Sequence, residues 1–250
     1  MSQSVLVHKE DGCWTVTLNR PEKRNALSAD MVEALIGVME QVQAPAEAPA
    51  EAPQQTPTVL ILQGSGKNFS AGFDFSDWEQ ISEGDLLWRF VRIEQLLQLI
   101  HGLPILTVAL AHGKNFGAGV DLVAVCKHRV ASADATFRMP GLKFGLVLGT
   151  RRLAKLVGVQ RARAIQAVAQ TLSATDAHEA GLVSAVVDQE AWPNVIAQQQ
   201  DVSLALTPDA RARLYRVLHD NTDDADMADL VRSVTAPGLK ERIAKYLAAR

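Results

Sequence analysis

The chain has 250 residues, 48% of them hydrophobic and 21% charged, with a formal net charge of −3. Those proportions exclude disorder of the whole chain, and the slightly acidic balance leaves no electrostatic footprint for nucleic acid. Cys13 and Cys126, the two cysteines, are too few for a disulfide framework or a zinc cluster and suit buried free thiols in a reducing compartment.

The start, MSQSVLVHKEDG, has no apolar region of the kind a signal peptide carries. The longest strongly apolar stretch, Leu103 to Ala111, falls far short of the ~20 residues a membrane span needs. The expectation is a soluble cytoplasmic protein with neither nucleic acid nor membrane as partner.

In chain order, Val5–Val7 and Trp14–Leu18 read as strands around an Asp11-Gly12 hairpin turn. A polar loop over 19–25 follows, and Ser28 is placed to cap a helix over about 29–42. Residues 44–57, APAEAPAEAPQQTP, hold four of the ten prolines and read as an extended, solvated surface loop. Thr58–Gln63 and Ile105–Leu110 are continuous apolar runs, as in parallel strands covered on both faces. A helix is expected over about 86–101, another over 117–126, and a short strand at 129–131. This repetition argues an α/β layered core over residues 1–190. The chain turns helical from about Thr150, and residues 191–250 form a C-terminal helical region. Amphipathic segments are predicted at 191–200, 208–219 and 239–250. The last carries Ile243, Tyr246 and Leu247 on one side, a face that must dock on the body or on another subunit.

Gly64-Ser-Gly66-Lys67 lacks the residues that complete a phosphate-binding loop, and Gly117-Ala-Gly119 has Leu122 where a dinucleotide fingerprint needs its third glycine. His112, His128 and His178 show no metal-ligand spacing, and no Gly-x-Ser-x-Gly elbow is present. Neither a metal nor a separate cofactor is expected. Two loops remain, each after a buried strand: Phe69–Phe75 and His112–Asp121. In open α/β sheets ligands bind beyond the carboxyl ends of strands. The second loop also leads into a helix N-terminus with free N–H donors. Side by side, the loops could aim two backbone N–H groups at one oxygen, an oxyanion hole. They could equally be two ordinary glycine-containing turns.

Five segments resemble the crotonase superfamily, the enoyl-CoA hydratase/isomerase family. They are Asn19-Arg-Pro-Glu-Lys-Arg-Asn-Ala-Leu27, Asn68-Phe-Ser-Ala-Gly-Phe-Asp74, Gly117-Ala-Gly-Val-Asp-Leu122, Gly149-Thr-Arg-Arg-Leu153 and Leu172–Val183. They fall in the family's order and at close to its spacing. The resemblance implies an α/β spiral of ββα units, C-terminal helices that form a homotrimer or hexamer, and an acyl-CoA thioester as ligand. Coenzyme A then enters as part of the substrate. The resemblance also implies that the N–H groups of Phe73 and Ala118 hold the thioester oxygen. Ala71 is implied at the adenine end, and Arg24, Ala26 and Leu27 along the CoA channel. Gly72, Asp74, Gly117 and Gly141 are further candidate binding positions, with Asp74 read as a brace of its loop.

The family's hydratases use two glutamates. One position is Asp121 here, an acid one methylene shorter; the other is Gly141, which has no side chain. Residues 135–175 contain no Asp or Glu that could substitute. A missing general acid or base typically removes 10²–10⁴-fold in rate, so ordinary two-acid hydration is not expected. Asp121 is the candidate acid, and His112 a further candidate acid or base. The alternatives are a decarboxylase or isomerase using Asp121 alone, or a non-catalytic acyl-CoA-binding oligomer. The stretch without acids carries Arg138, Lys143, Arg151, Arg152, Lys155, Arg161 and Arg163. It reads either as a solvated helical face or as a contact for CoA phosphates.

Overall fold

A computed structural model describes residues 3–43 and 57–249. The Ala/Pro/Glu segment, Pro57 apart, lies outside the described residues.

The main sheet begins with the hairpin of β1 (Val5–Glu10) and β2 (Cys13–Leu18), closed at Asp11-Gly12 with both residues at positive φ. After α1 (Ala29–Gln43), β3 (Val59–Gly64) pairs parallel with β2. Next come α2 (Glu83–Gly102), β4 (Leu106–Ala111), β5 (Lys114–Phe116), α3 (Ala118–Ala124), β6 (His128–Ala131) and β7 (Thr136–Arg138). Then follow α4 (Thr150–Val157), α5 (Val159–Val168), β8 (Thr171–Ser173), α6 (Ala174–Ala180) and β9 (Ala185–Val186). The six-stranded sheet runs β1-β2-β3-β4-β6-β9, and β5-β7-β8 form a smaller second sheet. Every residue of β4 is buried, which explains its uninterrupted apolar sequence. Both cysteines are free and buried.

The C-terminal helices are α7 (Trp192–Leu204), α8 (Pro208–Leu218), α9 (Asp223–Val234) and α10 (Leu239–Ala248). Sequence periodicity misses α9. Its first turn carries Asp223, Asp224 and Asp226 and resembles a polar loop, yet those acids suit a helix N-terminus electrostatically. The start of α2 moves three residues upstream of expectation because Ser82 and Asp85 form a capping box. The apolar face of α10 docks on its own subunit. Ile243 is fully buried, the Tyr246 ring lies 5.1 Å from that of Phe144, and Arg242 donates to the Phe144 carbonyl at 2.8 Å. The C-terminal helix therefore closes over the loop between β7 and α4. Among the described residues no helix is long and apolar enough to cross a membrane.

Much of the basic stretch is solvated, as the first expectation has it: Arg138, Lys143, Lys155, Arg161 and Arg163 are exposed and Arg151 is half-buried. Arg152 is 4% exposed and pairs with Glu94 of α2, Arg151 pairs with Asp226, and Lys155 pairs with Asp220. Arg138, Lys143 and Arg161 donate to backbone carbonyls, and Arg163 donates to the Gln160 side chain. Acids from other elements, above all α2 and α9, engage Arg151 and Arg152.

Candidate active site

The two loops are joined along their backbones. Phe116 N–H donates to the Ser70 carbonyl at 3.0 Å, and Ser70 bridges Asn115 in parallel register. The loop over 20–28 clamps the first one from outside. Ala71 N–H donates to the Arg24 carbonyl at 2.8 Å, Leu27 N–H to the Gly72 carbonyl at 2.8 Å, and Asp74 N–H to the Leu27 carbonyl at 3.3 Å. Asp74 is braced by Arg20 at 2.8 Å and by the Ser76 hydroxyl at 2.6 Å. Burial opposes its ionisation, but the Ser76 and Arg20 hydrogen bonds outweigh that and hold its carboxyl below the usual range.

Gly72 sets the closeness of the loops. Its φ is +77°, and a Cβ there would overlap the Phe116 carbonyl oxygen and sit 3.2 Å from the Ala118 nitrogen. Gly72→Ala is therefore expected to cost about 1–2 kcal/mol from its left-handed backbone alone and to force the loops apart as well. A urea unfolding midpoint equal to that of the wild type would contradict this.

Phe73 and Ala118 line one cavity of ≈ 50 Å³, room for a few waters. Ala71, Gly117, Asp121 and Gly141 line it as well. Among the described residues, no acceptor engages the N–H of Phe73 or of Ala118. Apart from Thr150 and Gln166, the remaining lining is aromatic and aliphatic, including Phe75, Phe90, Phe116, Phe144 and Tyr246. The Phe73 ring stacks on Phe90 at 4.4 Å. Arg24, Ala26 and Leu27 do not line this cavity; Arg24 and Leu27 support the first loop through their backbones, and the Ala26 carbonyl accepts from Arg20. His112 is absent from it as well. Its Nε2 lies 2.9 Å from the Gly66 carbonyl and its ring packs edge-on against Trp192, so the proposed second acid or base faces another part of the surface.

Asp121 is the cavity's sole carboxyl among the described residues. It is 3% exposed, and its Oδ1 has no hydrogen-bond partner. Burial pushes this carboxyl well above the ordinary range; nearby Arg152 pulls it down, and Glu94 pushes it up. Burial therefore opposes ionisation of Asp121. Gly149, at the N-terminus of α4, makes room for it: a Cβ at 149 would overlap Oδ1. Sequence reasoning does not single out Glu94 or Gly149. The signal for Glu94 is an acid set among Phe90, Ile93 and Leu97 on the buried face of α2.

The sequence pattern of the enoyl-CoA hydratase/isomerase family matches residues 8–230. The chain belongs to this family. A probable enoyl-CoA hydratase of Mycobacterium leprae is 32% identical over 221 residues, 86% of this chain and 82% of that protein. The 1,2-epoxyphenylacetyl-CoA isomerase of Escherichia coli is 31% identical over 215 residues, 83% of this chain and 78% of that protein. Among solved structures, a Bordetella parapertussis protein of the enoyl-CoA hydratase/isomerase class shares 50% identity, with a TM-score of 0.93 over 99% of both chains. An enoyl-CoA hydratase from Bacillus halodurans, 19% identical with a TM-score of 0.83, covers 97% of this chain and 100% of its own, and shares the fold. The crotonase fold expected from the five segments is the fold observed.

Proposed function

We propose that this protein binds an acyl-CoA thioester with the carbonyl oxygen against the Phe73 and Ala118 N–H groups. Asp121 then protonates the enolate-like anion formed beside that carbonyl. The observation that carries this reading is the pairing, in one cavity, of two uncommitted amides with one carboxyl whose ionisation burial opposes. Amides preorganised in an apolar site stabilise charge as it develops, and losing one oxyanion-hole donor typically costs ~3–4 kcal/mol of barrier. Decarboxylation of a malonyl-type thioester, with its carboxyl on the α-carbon, fits this arrangement. The C–C bond breaks, CO₂ leaves, the electron pair passes onto the thioester oxygen, and the Asp121 proton goes to the α-carbon. Double-bond isomerisation starts instead from the Asp121 carboxylate, the form that burial disfavours, and is the second lyase-or-isomerase reading. The small aromatic cavity favours a compact acyl group.

Incubation with malonyl-, enoyl- and β-ketoacyl-CoA thioesters, followed by mass spectrometry, tests the assignment. Turnover of a short malonyl-type or β,γ-enoyl thioester is expected. Binding without turnover of any member leaves a non-catalytic acyl-CoA binder. Failure even to bind overturns the thioester reading.

Self-association into a trimer or a dimer of trimers belongs to the same proposal. Its support is the exposed apolar side chains at the ends of α7 and α8, where Leu204, Val217 and Leu218 are 64%, 78% and 70% exposed. Light scattering at micromolar concentration is expected to give a multiple of the 27.1 kDa protomer; a monomer alone contradicts it.

A further inference from the structure

Away from the cavity, three side chains of metal-ligand type converge from distant parts of the chain. His101 lies in the last turn of α2, His219 immediately follows α8, and Asp223 begins α9. One donor atom from each lies within 4.8 Å of the other two. The imidazole centroids are 4.4 Å apart and tilted by 50°.

Among the described residues, no side-chain hydrogen bond engages either imidazole or the Asp223 carboxylate. Nδ1 of His219 is buried without a partner. His8, His112 and His178 each have a hydrogen-bond partner through one ring nitrogen, although Nδ1 of His112 is also buried without one. Buried polar atoms are normally satisfied, and one that is not calls for a missing ligand, water or ion. The neighbouring charges are already engaged. Lys155 pairs with Asp220 at 2.7 Å, Arg152 pairs with Glu94, and Lys127 donates to the Leu103 carbonyl at 2.8 Å.

We propose that His101, His219 and Asp223 form a binding site for a divalent transition metal such as zinc, tying the end of α2 to the α8–α9 junction. Two imidazoles and one carboxylate suit Zn²⁺ or Co²⁺, with a fourth position left for water. Donors around a tetrahedral ion at Zn–N distances of 2.0–2.1 Å lie about 3.4 Å apart, so small side-chain rotations close the observed spacing. A metal here would clip the C-terminal helical layer, which carries Tyr246 over the cavity, onto the core helix α2. The site is independent of the thioester reading.

The test uses the tag-free full chain stripped with chelator, then titrated with ZnCl₂ and CoCl₂ and followed by native mass spectrometry, calorimetry and visible absorption. One zinc per protomer, a raised melting temperature and Co²⁺ bands of a four- or five-coordinate site are expected. His101→Gln and His219→Gln should each weaken Zn²⁺ binding at least about tenfold, the scale on which even supporting residues of metal sites act. His8→Gln should leave it unchanged. Apo-state melting of each variant shows whether it folds; if the His219 change unfolds the chain, Asp223→Asn serves in its place. No stoichiometric zinc in the wild type, or affinity that survives the His101 and His219 changes, overturns the site.

Discussion

Asp121→Asn is expected to lower turnover of whichever thioester the protein processes by about 10²–10⁴-fold, the range a general acid or base contributes. The substitution keeps size and removes the transferable proton, so it opens no cavity. Asp121 is 3% exposed, with Oδ1 unpartnered and Gly149 against it. The variant should also be at least as stable as the wild type at neutral pH. The folded pKa of Asp121 is raised by burial, so between the unfolded Asp value of about 3.9 and that raised value the folded state holds a proton that the unfolded state has lost. Stability therefore falls as pH rises through that window, and the loss is complete above the folded pKa. The asparagine variant has no such dependence, because its side chain does not titrate. The wild-type rate of enolate protonation should likewise fall as pH rises through the folded pKa. Thermal melting across pH and single-turnover assays check both parts. Unchanged turnover in Asp121→Asn would make Asp121 structural.

Crotonyl-CoA hydration should be slower by about 10²–10⁴-fold than that of a two-glutamate hydratase assayed alongside. Syn hydration needs two groups on one water, and the cavity offers one carboxyl among the described residues. Gly141 lies on the wall but presents no side chain, and the basic residues after it are held by acids and carbonyls elsewhere. Restoring the acid is not a simple reversal. A Cβ at 141 would stand 3.0 Å from the Leu146 carbonyl oxygen, and the Leu146 N–H is itself tied to the Gly141 carbonyl at 2.9 Å. Gly141→Glu must displace that turn, so it should recover only part of the hydratase rate. Coupled absorbance assays on both proteins decide it. Fast hydration by the wild type would mean that a further acid reaches the water, for example from a neighbouring subunit.

Much of this is legible in the residues. The Asp-Gly hairpin, the buried runs of β3 and β4, and the two loops after them follow from local rules: turn residues, period, and apolar runs bounded by polar ones. The absence of a side chain at Gly141 is a fact of sequence alone. Other features depend on groups far apart in the chain. Arg152 looks like one more surface base until α2 brings Glu94 to it and α9 brings Asp226. Asp121 reads as an ordinary acid near a helix start, and its protonation is set by burial under a glycine 28 positions later. His112 looks catalytic from its place after a strand, but its ring faces Gly66 and Trp192. His101, His219 and Asp223 carry no ligand spacing, because their proximity comes from helix packing. Local sequence determines backbone conformation and which faces seek burial; the electrostatics of a side chain depend on what the tertiary fold brings within a few ångströms of it, and desolvation there outweighs the residue's intrinsic chemistry.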